Sequence, residues 1–104
     1  MKTHPLFKNV NGAAKNCIEA YLKGKKMNRL TRLLRHGNFD LADLKVDVEH
    51  FSKHNAFSVK FDLKIGKKRL ISEEKTHNIR EAFEIAFDKL VNQLRKLESI
   101  KHDK

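Results

Sequence analysis

The sequence predicts an α+β domain, a β-α-β-β-β-α two-layer sandwich. Its sheet is rich in antiparallel pairing, and both helices lie on one face. Three observations carry this reading. Phe57, Val59, Phe61, Leu63 and Ile65 alternate with Ser58, Lys60, Asp62 and Lys64, the period of a half-buried strand. Ala82, Phe83, Ala86, Phe87, Leu90, Val91, Leu94 and Leu97 recur at i, i+3, i+4 spacing, the period of an amphipathic helix. Between Ala13 and Arg35 there is no Pro, and good helix formers dominate.

In chain order, Thr3–Val10 is a weak first strand: its alternation is poor and Pro5 confines it to an edge. Ala13 to Arg35 reads as one helix of roughly 35 Å. Gly37 is placed as its C′ residue, with Arg35 and His36 in the last turn at the negative end of the dipole. This helix carries a phase problem. Ile18 and Leu22 share a stripe, yet that stripe continues into Lys25, Lys26 and Arg29, while Met27, Leu30 and Leu34 follow another phase. A π-bulge near Gly24–Lys26 would rephase it. Alternatively, Cys17, Ala20, Gly24, Met27, Thr31 and Leu34 form one face whose small residues allow close approach to a sheet.

Leu44, Val46 and Val48 alternate with Lys45, Asp47 and Glu49 and give the next strand. Phe51–Asn55 is a polar connection to the strand that ends at Ile65. Gly66-Lys67 is a hairpin turn. The returning strand, Lys68 to about Glu73, has Leu70 and Ser72 inward and Arg69 and Ile71 outward. The last helix runs from Ile79 to Leu97. Thr76 or Asn78 caps it, and Glu81 stands three residues after Asn78 as in a capping box. The expected organisation is one domain over 1–98 and a short basic tail over 99–104.

Putting both helices on one side of the sheet buries every apolar face. The other sheet face is left wet, with Lys45, Asp47, Glu49, Ser58, Lys60, Asp62 and Lys64 mixed in sign. Phe57, Phe61, Phe83 and Phe87 then belong to the core. Only Phe7, Phe39, Phe51 and Tyr21 are free to sit elsewhere, so stacking on single-stranded bases is not favoured.

The chain has 104 residues, of which 39% are apolar. That supports a thin core rather than a large enclosed active site. Cys17 is the only Cys, which excludes an internal disulfide and any CxxC motif. It is read as a packing residue in a reducing, cytoplasmic setting. No apolar run suits a membrane span, and Met1–Pro5 lacks the apolar core of a signal peptide. His50 and His54 are four apart but lie on a strand end and a loop, so no metal is expected. None of the nucleophile-elbow, P-loop, dinucleotide or zincin motifs occurs. The expectation is therefore a non-enzyme with no cofactor and no small-molecule substrate.

Charge points to the partner. There are 23 Lys plus Arg against 13 Asp plus Glu, a net charge of +10. Residues 1–40 hold nine basic residues and two acids, so most of the excess is there. Lys23, Lys25, Lys26, Arg29, Arg32 and Arg35 are interleaved with Tyr21, Leu22, Met27, Leu30, Leu33 and Leu34, so the basic segment folds rather than forming a loose tail. Such an excess suits an anionic polymer, with phosphate contacts and shape recognition of structured RNA. On the last helix, Lys89, Gln93 and Lys96 sit at i, i+4, i+7. If this stripe and the basic stripe of the first helix flank one groove, two rows of cations about 10 Å apart would meet a bent phosphate backbone.

The segment Ala82-Phe83-Glu84-Ile85-Ala86-Phe87-Asp88-Lys89-Leu90-Val91-Asn92-Gln93-Leu94-Arg95-Lys96 resembles the final helix of the bacterial ribosome hibernation factors, the sigma-54 modulation family. Ala20-Tyr21-Leu22-Lys23-Gly24-Lys25 is similar to that family's first helix, with one extra residue after Lys25 where the phase changes. The order of elements and the Lys64–Arg69 hairpin agree with it. The resemblance implies a domain that sits in the mRNA and tRNA channel of the small ribosomal subunit. There it contacts ribosomal RNA and inhibits translation under stress. It implies the short form of the family, cytoplasmic and ribosome-associated, and monomeric off the ribosome. By position it marks Lys25, Lys89, Gln93, Arg95 and Lys96 as RNA contacts, and charge alone adds Lys26, Arg29 and Arg32. Two other readings stay open: a double-stranded-RNA-binding domain, whose α-β-β-β-α order is nearly the same, and a basic protein-interaction module.

Overall fold

A computed structural model describes residues 2–36 and 42–102. Its elements are β1 (Lys2–Lys8), α1 (Gly12–Leu22), α2 (Lys25–His36), β2 (Ala42–Phe51), β3 (Ala56–Ile65), β4 (Lys68–Thr76) and α3 (Ile79–His102). The expected positions of Gly37 and Phe39 lie outside the described residues. The four strands form one sheet in the order β1-β2-β3-β4. β1 pairs parallel with β2, and the two hairpin pairings are antiparallel.

The first strand does form. Pro5 stands opposite Val46, on the edge strand, where its missing N–H interrupts no ladder on the open side. Thr3 and Phe7 share the inward side with Leu44 and Val48. Phe7 packs against the core while Leu6 is exposed outward, so the strand buries little and shows only weak periodicity.

The single long helix expected over Ala13–Arg35 is two helices. Ile18 and Met27 are nine residues apart, and at about 100° per residue an unbroken helix would set them half a turn apart. Both are buried in the same core. The chain resolves this with a break at Lys23–Gly24, not with a π-bulge or a face of small residues. The Lys23 N–H still reaches the Glu19 carbonyl at 3.2 Å, but the Gly24 N–H bonds Tyr21 at 3.1 Å and the Met27 N–H bonds Gly24 at 3.3 Å. These shorter i to i−3 steps end one helix and start the next. A Cβ at position 24 would lie 3.2 Å from the Ala20 carbonyl oxygen, so glycine suits the tight joint. Cys17 is only partly buried and Ala20 is exposed, so they do not extend the core face.

One apolar layer joins the helices to the sheet. Ile18, Met27, Leu30 and Leu34 from α1 and α2 meet Leu44, Val46, Val48, Val59, Phe61 and Leu63 from the sheet. α3 adds Ala82, Phe83, Ala86, Phe87, Leu90, Val91 and Leu94. An aromatic cluster sits at the centre. Phe83 stacks on Phe87 with ring centroids 5.9 Å apart, and Phe61 meets Phe83 edge-on at 5.2 Å. Tyr21 stacks on Phe83 at 4.8 Å and so ties α1 to α3. Phe57, expected in the core, is on the inward side but only half-buried and outside the core cluster, with its ring 4.7 Å from that of His50.

Caps and turns follow local chemistry. Asn11 Oδ1 accepts from the Ala14 N–H at 2.8 Å and caps α1. Asn78 Oδ1 accepts from the Arg80 N–H at 2.9 Å and caps α3. Gly66 has φ +59, the first central position of the two-residue β3–β4 turn, as a II′ turn requires. Ser72 points inward as expected, and its hydroxyl donates to the Ala86 carbonyl at 2.7 Å, pinning β4 to α3. The last helix runs past Leu97 to His102, so residues 99–102 continue α3 instead of forming a separate tail.

Candidate nucleic-acid interface

α2 separates its two faces cleanly. Met27, Leu30 and Leu34 go into the core, which turns Lys25, Asn28, Arg29 and Arg32 outward at i, i+3, i+4, i+7. On α3, Glu84, Asp88, Val91 and Arg95 share one stripe by the same periodicity. This stripe meets α2: Lys26 Nζ is 3.4 Å from Glu84 Oε1, and Arg95 lines a common groove with Arg29 and Arg32.

The groove has a volume of about 630 Å³ and is lined by Lys25, Asn28, Arg29, Arg32, Leu33 and Arg95. None of these is acidic. Among the described residues, Lys25, Arg29, Arg32 and Arg95 make no ion pair. Four cations therefore face one open channel, with Asn28 able to donate or accept and Leu33 supplying an apolar wall. A polyanion can shed its counterions here without displacing a carboxylate from the groove lining.

The other sequence-derived residues are placed differently. Lys89, Gln93 and Lys96 lie about 100° or more around α3 from the Glu84–Arg95 stripe, and Lys89 and Gln93 reach β4. Lys89 Nζ donates to Glu74 Oε2 at 2.8 Å, and Gln93 Nε2 donates to the Ile71 carbonyl at 2.8 Å. The hydrogen bond from Lys89 holds the Glu74 carboxyl below its ordinary range, and the lysine's charge adds to this against the cost of burial. Gln93 satisfies a carbonyl on β4, the sheet's other edge strand. Lys96 is exposed. The expected groove between two basic rows is not what forms: the groove beside α2 has Arg95 alone on its α3 side, and the Lys89–Gln93–Lys96 stripe does not line it. Asn28 and Leu33 were not singled out from the sequence. The i+3 spacing of Asn28 from Lys25 gives a signal for Asn28, whereas Leu33 lies off that stripe and has none.

The wet sheet face is mixed in sign. Strand register sets Lys2, Asp43, Lys64 and Arg69 in one row and Leu6, Asp47, Lys60 and Glu73 in another. Arg69 Nε is 3.1 Å from Asp62 Oδ1. Alternating charges satisfy one another across strands and leave little net field for a polyanion. At the far end of the sheet, Lys75 lies over the Phe51 ring at 4.1 Å, and His50 and His77 both bond Asn55. Among the described residues no three His, Cys, Asp or Glu side chains gather where a metal could bind, and no helix is long and apolar enough to cross a membrane.

The comparisons with known proteins agree with this architecture. The family described as sigma 54 modulation protein / S30EA ribosomal protein matches residues 8–101. The Thermus thermophilus Protein Y N-terminal domain superposes with a TM-score of 0.62 at 18% identity, covering 93% of this chain and 99% of that one. A ribosomal subunit interface protein from Coxiella burnetii superposes with a TM-score of 0.65 at 11% identity, covering 95% and 99%. At these identities the superpositions speak to the fold. No curated protein matches the sequence. The family match spans nearly the whole chain, from the end of β1 through α3 and across the α2–α3 groove, and on that match the chain belongs to the sigma 54 modulation protein / S30EA ribosomal protein family.

Proposed function

We propose that this chain is a ribosome hibernation factor. It binds small-subunit ribosomal RNA in the mRNA and tRNA channel and so inhibits translation under stress. The observation that carries the reading is the α2–α3 groove, lined by four basic residues that make no ion pair among the described residues and by no acid, on a member of a ribosomal protein family. Lys25, Arg29, Arg32 and Arg95 make the primary phosphate contacts. Lys89, Gln93 and Lys96 are secondary contacts, and Lys26 becomes one only when Glu84 releases it, because Lys26, Lys89 and Gln93 already have partners within the protein. Inhibition is stoichiometric, since the protein acts by occupying a channel. The protein works in the cytoplasm as a monomer until it meets the ribosome.

Sedimentation with purified small subunits tests this. The chain should pellet with empty subunits and stay in the supernatant when mRNA and tRNA fill the channel. Its affinity should fall with salt at a log–log slope of about 3, from four phosphate contacts at roughly 0.7–0.9 each. Equal binding to free duplex RNA and to subunits, insensitive to tRNA, would refute the channel reading and favour a double-stranded-RNA-binding role.

A further inference from the structure

The α3 side of the seam changes sign along its length. Glu84 and Asp88 come first, both exposed, and Arg95 follows on the same stripe. The acidic end coincides with Lys26, whose ammonium is 3.4 Å from the Glu84 carboxylate. Both side chains are about half exposed, at 41% and 48%. Lys26 is adjacent to Lys25 and one turn before Arg29, so it stands at the entrance to the groove and yet does not line it.

We propose that Glu84 is an internal competitor for the polyanion: it withholds Lys26 from the phosphate path and ends the groove at that point. The proposal rests on the RNA-binding reading above and adds a limit on how many phosphates the protein takes up. The physical reason is cancellation of charge. The screening length at physiological salt is about 8 Å, longer than the separation of the pair. A phosphate approaching Lys26 therefore meets an ammonium whose field is largely offset by the adjacent carboxylate. Asp88, one turn further along, extends the repulsion toward the middle of the seam. An exposed pair of this kind is weak, so it sets an adjustable competition and not a permanent block. The Lys89–Glu74 pair is similar in kind but lies over β4, away from α2.

The test is a salt titration of binding to small ribosomal subunits with three proteins: wild type, Glu84→Gln, and the double variant Lys26→Gln/Glu84→Gln. Glu84→Gln frees Lys26 for one more phosphate, so its log–log slope should steepen by roughly 0.7–0.9. Affinity at 0.1 M salt should then rise by about five- to eightfold. The double variant carries the wild-type net charge and should return to the wild-type slope and affinity. Both variants should melt within a few degrees of wild type, because the altered side chains are half exposed. An unchanged slope in Glu84→Gln, against a wild type that binds, overturns the proposal and leaves the functional reading intact. A gain that persists in the double variant also overturns it, since Glu84 would then act without holding Lys26. A wild type that does not bind subunits at all overturns both.

Discussion

Tyr21 illustrates how much one side chain decides here. It is the sole Tyr, it precedes the helix break, and its ring stacks on Phe83 across from α3. Stacked aromatic pairs contribute about 0.5–1.5 kcal/mol beyond the area they bury. Truncating Phe83, which touches Tyr21, Phe61 and Phe87, should cost about 3–5 kcal/mol, read as a lowered denaturation midpoint in urea. Ser72→Ala removes the buried hydroxyl that bonds Ala86 and should cost about 1 kcal/mol in the same measurement. Glu74 gives a pH signature. Its carboxyl is held below the ordinary 4.5 chiefly by the Lys89 hydrogen bond. A depressed folded pKa stabilises the protein above the unfolded value and ceases to do so as pH falls through the folded one. Wild type should therefore melt higher than Glu74→Gln at pH 7, and the two should converge well below pH 4.5. Thermal melts across that range check the sign, and a difference that grows on acidification would contradict it.

At the scale of elements, the joint between α1 and α2 and the β3–β4 turn show two different kinds of legibility. The turn was readable, because Gly66-Lys67 between two alternating runs has a local reason to be a hairpin. With φ +59 at position 66, Gly66→Ala forces an L-residue into left-handed backbone and should cost about 1–2 kcal/mol, measured by chemical denaturation. The α3 cap was readable for the same reason, since Asn78 acts within its own turn. The joint was readable only as a conflict. The stripes through Ile18 and Met27 disagree in phase, and local propensity has no means to choose between a bulge, a skewed face and a break. The choice came from the sheet and α3, which offer one apolar layer and require both segments to face it. β1 was faint because an edge strand next to the wet face shows little alternation; its partner β2, distant in sequence, supplies the pairing.

For the whole molecule, the consequence is where charge can act. The net charge of +10 is concentrated toward the first forty residues, where α2 carries five Lys or Arg and no acid, while the sheet face cancels much of its share through cross-strand neighbours. Ion pairs withdraw Lys26 and Lys89, so the field concentrates in the groove of Lys25, Arg29, Arg32 and Arg95. Arg29→Glu/Arg32→Glu should weaken small-subunit binding by about 25-fold or more at 0.1 M salt, since two contacts are lost. Lys89→Gln/Lys96→Gln should weaken it by clearly less, with the folded state retained. Equal losses would place the RNA on the β4 flank of α3 instead.

By itself the sequence determined the kind of molecule: period two and period 3.6 set the elements, and the unbalanced lysines and arginines set the sign of the partner. Both are properties of neighbours along the chain, so they survive without knowledge of the fold. The tertiary structure decided which cations stand together. That depends on the rotation of each helix about its axis, which is set by the apolar layer beneath it. A break of two residues before α2 turned Arg29 and Arg32 toward Arg95, and the same packing turned Lys89 toward Glu74.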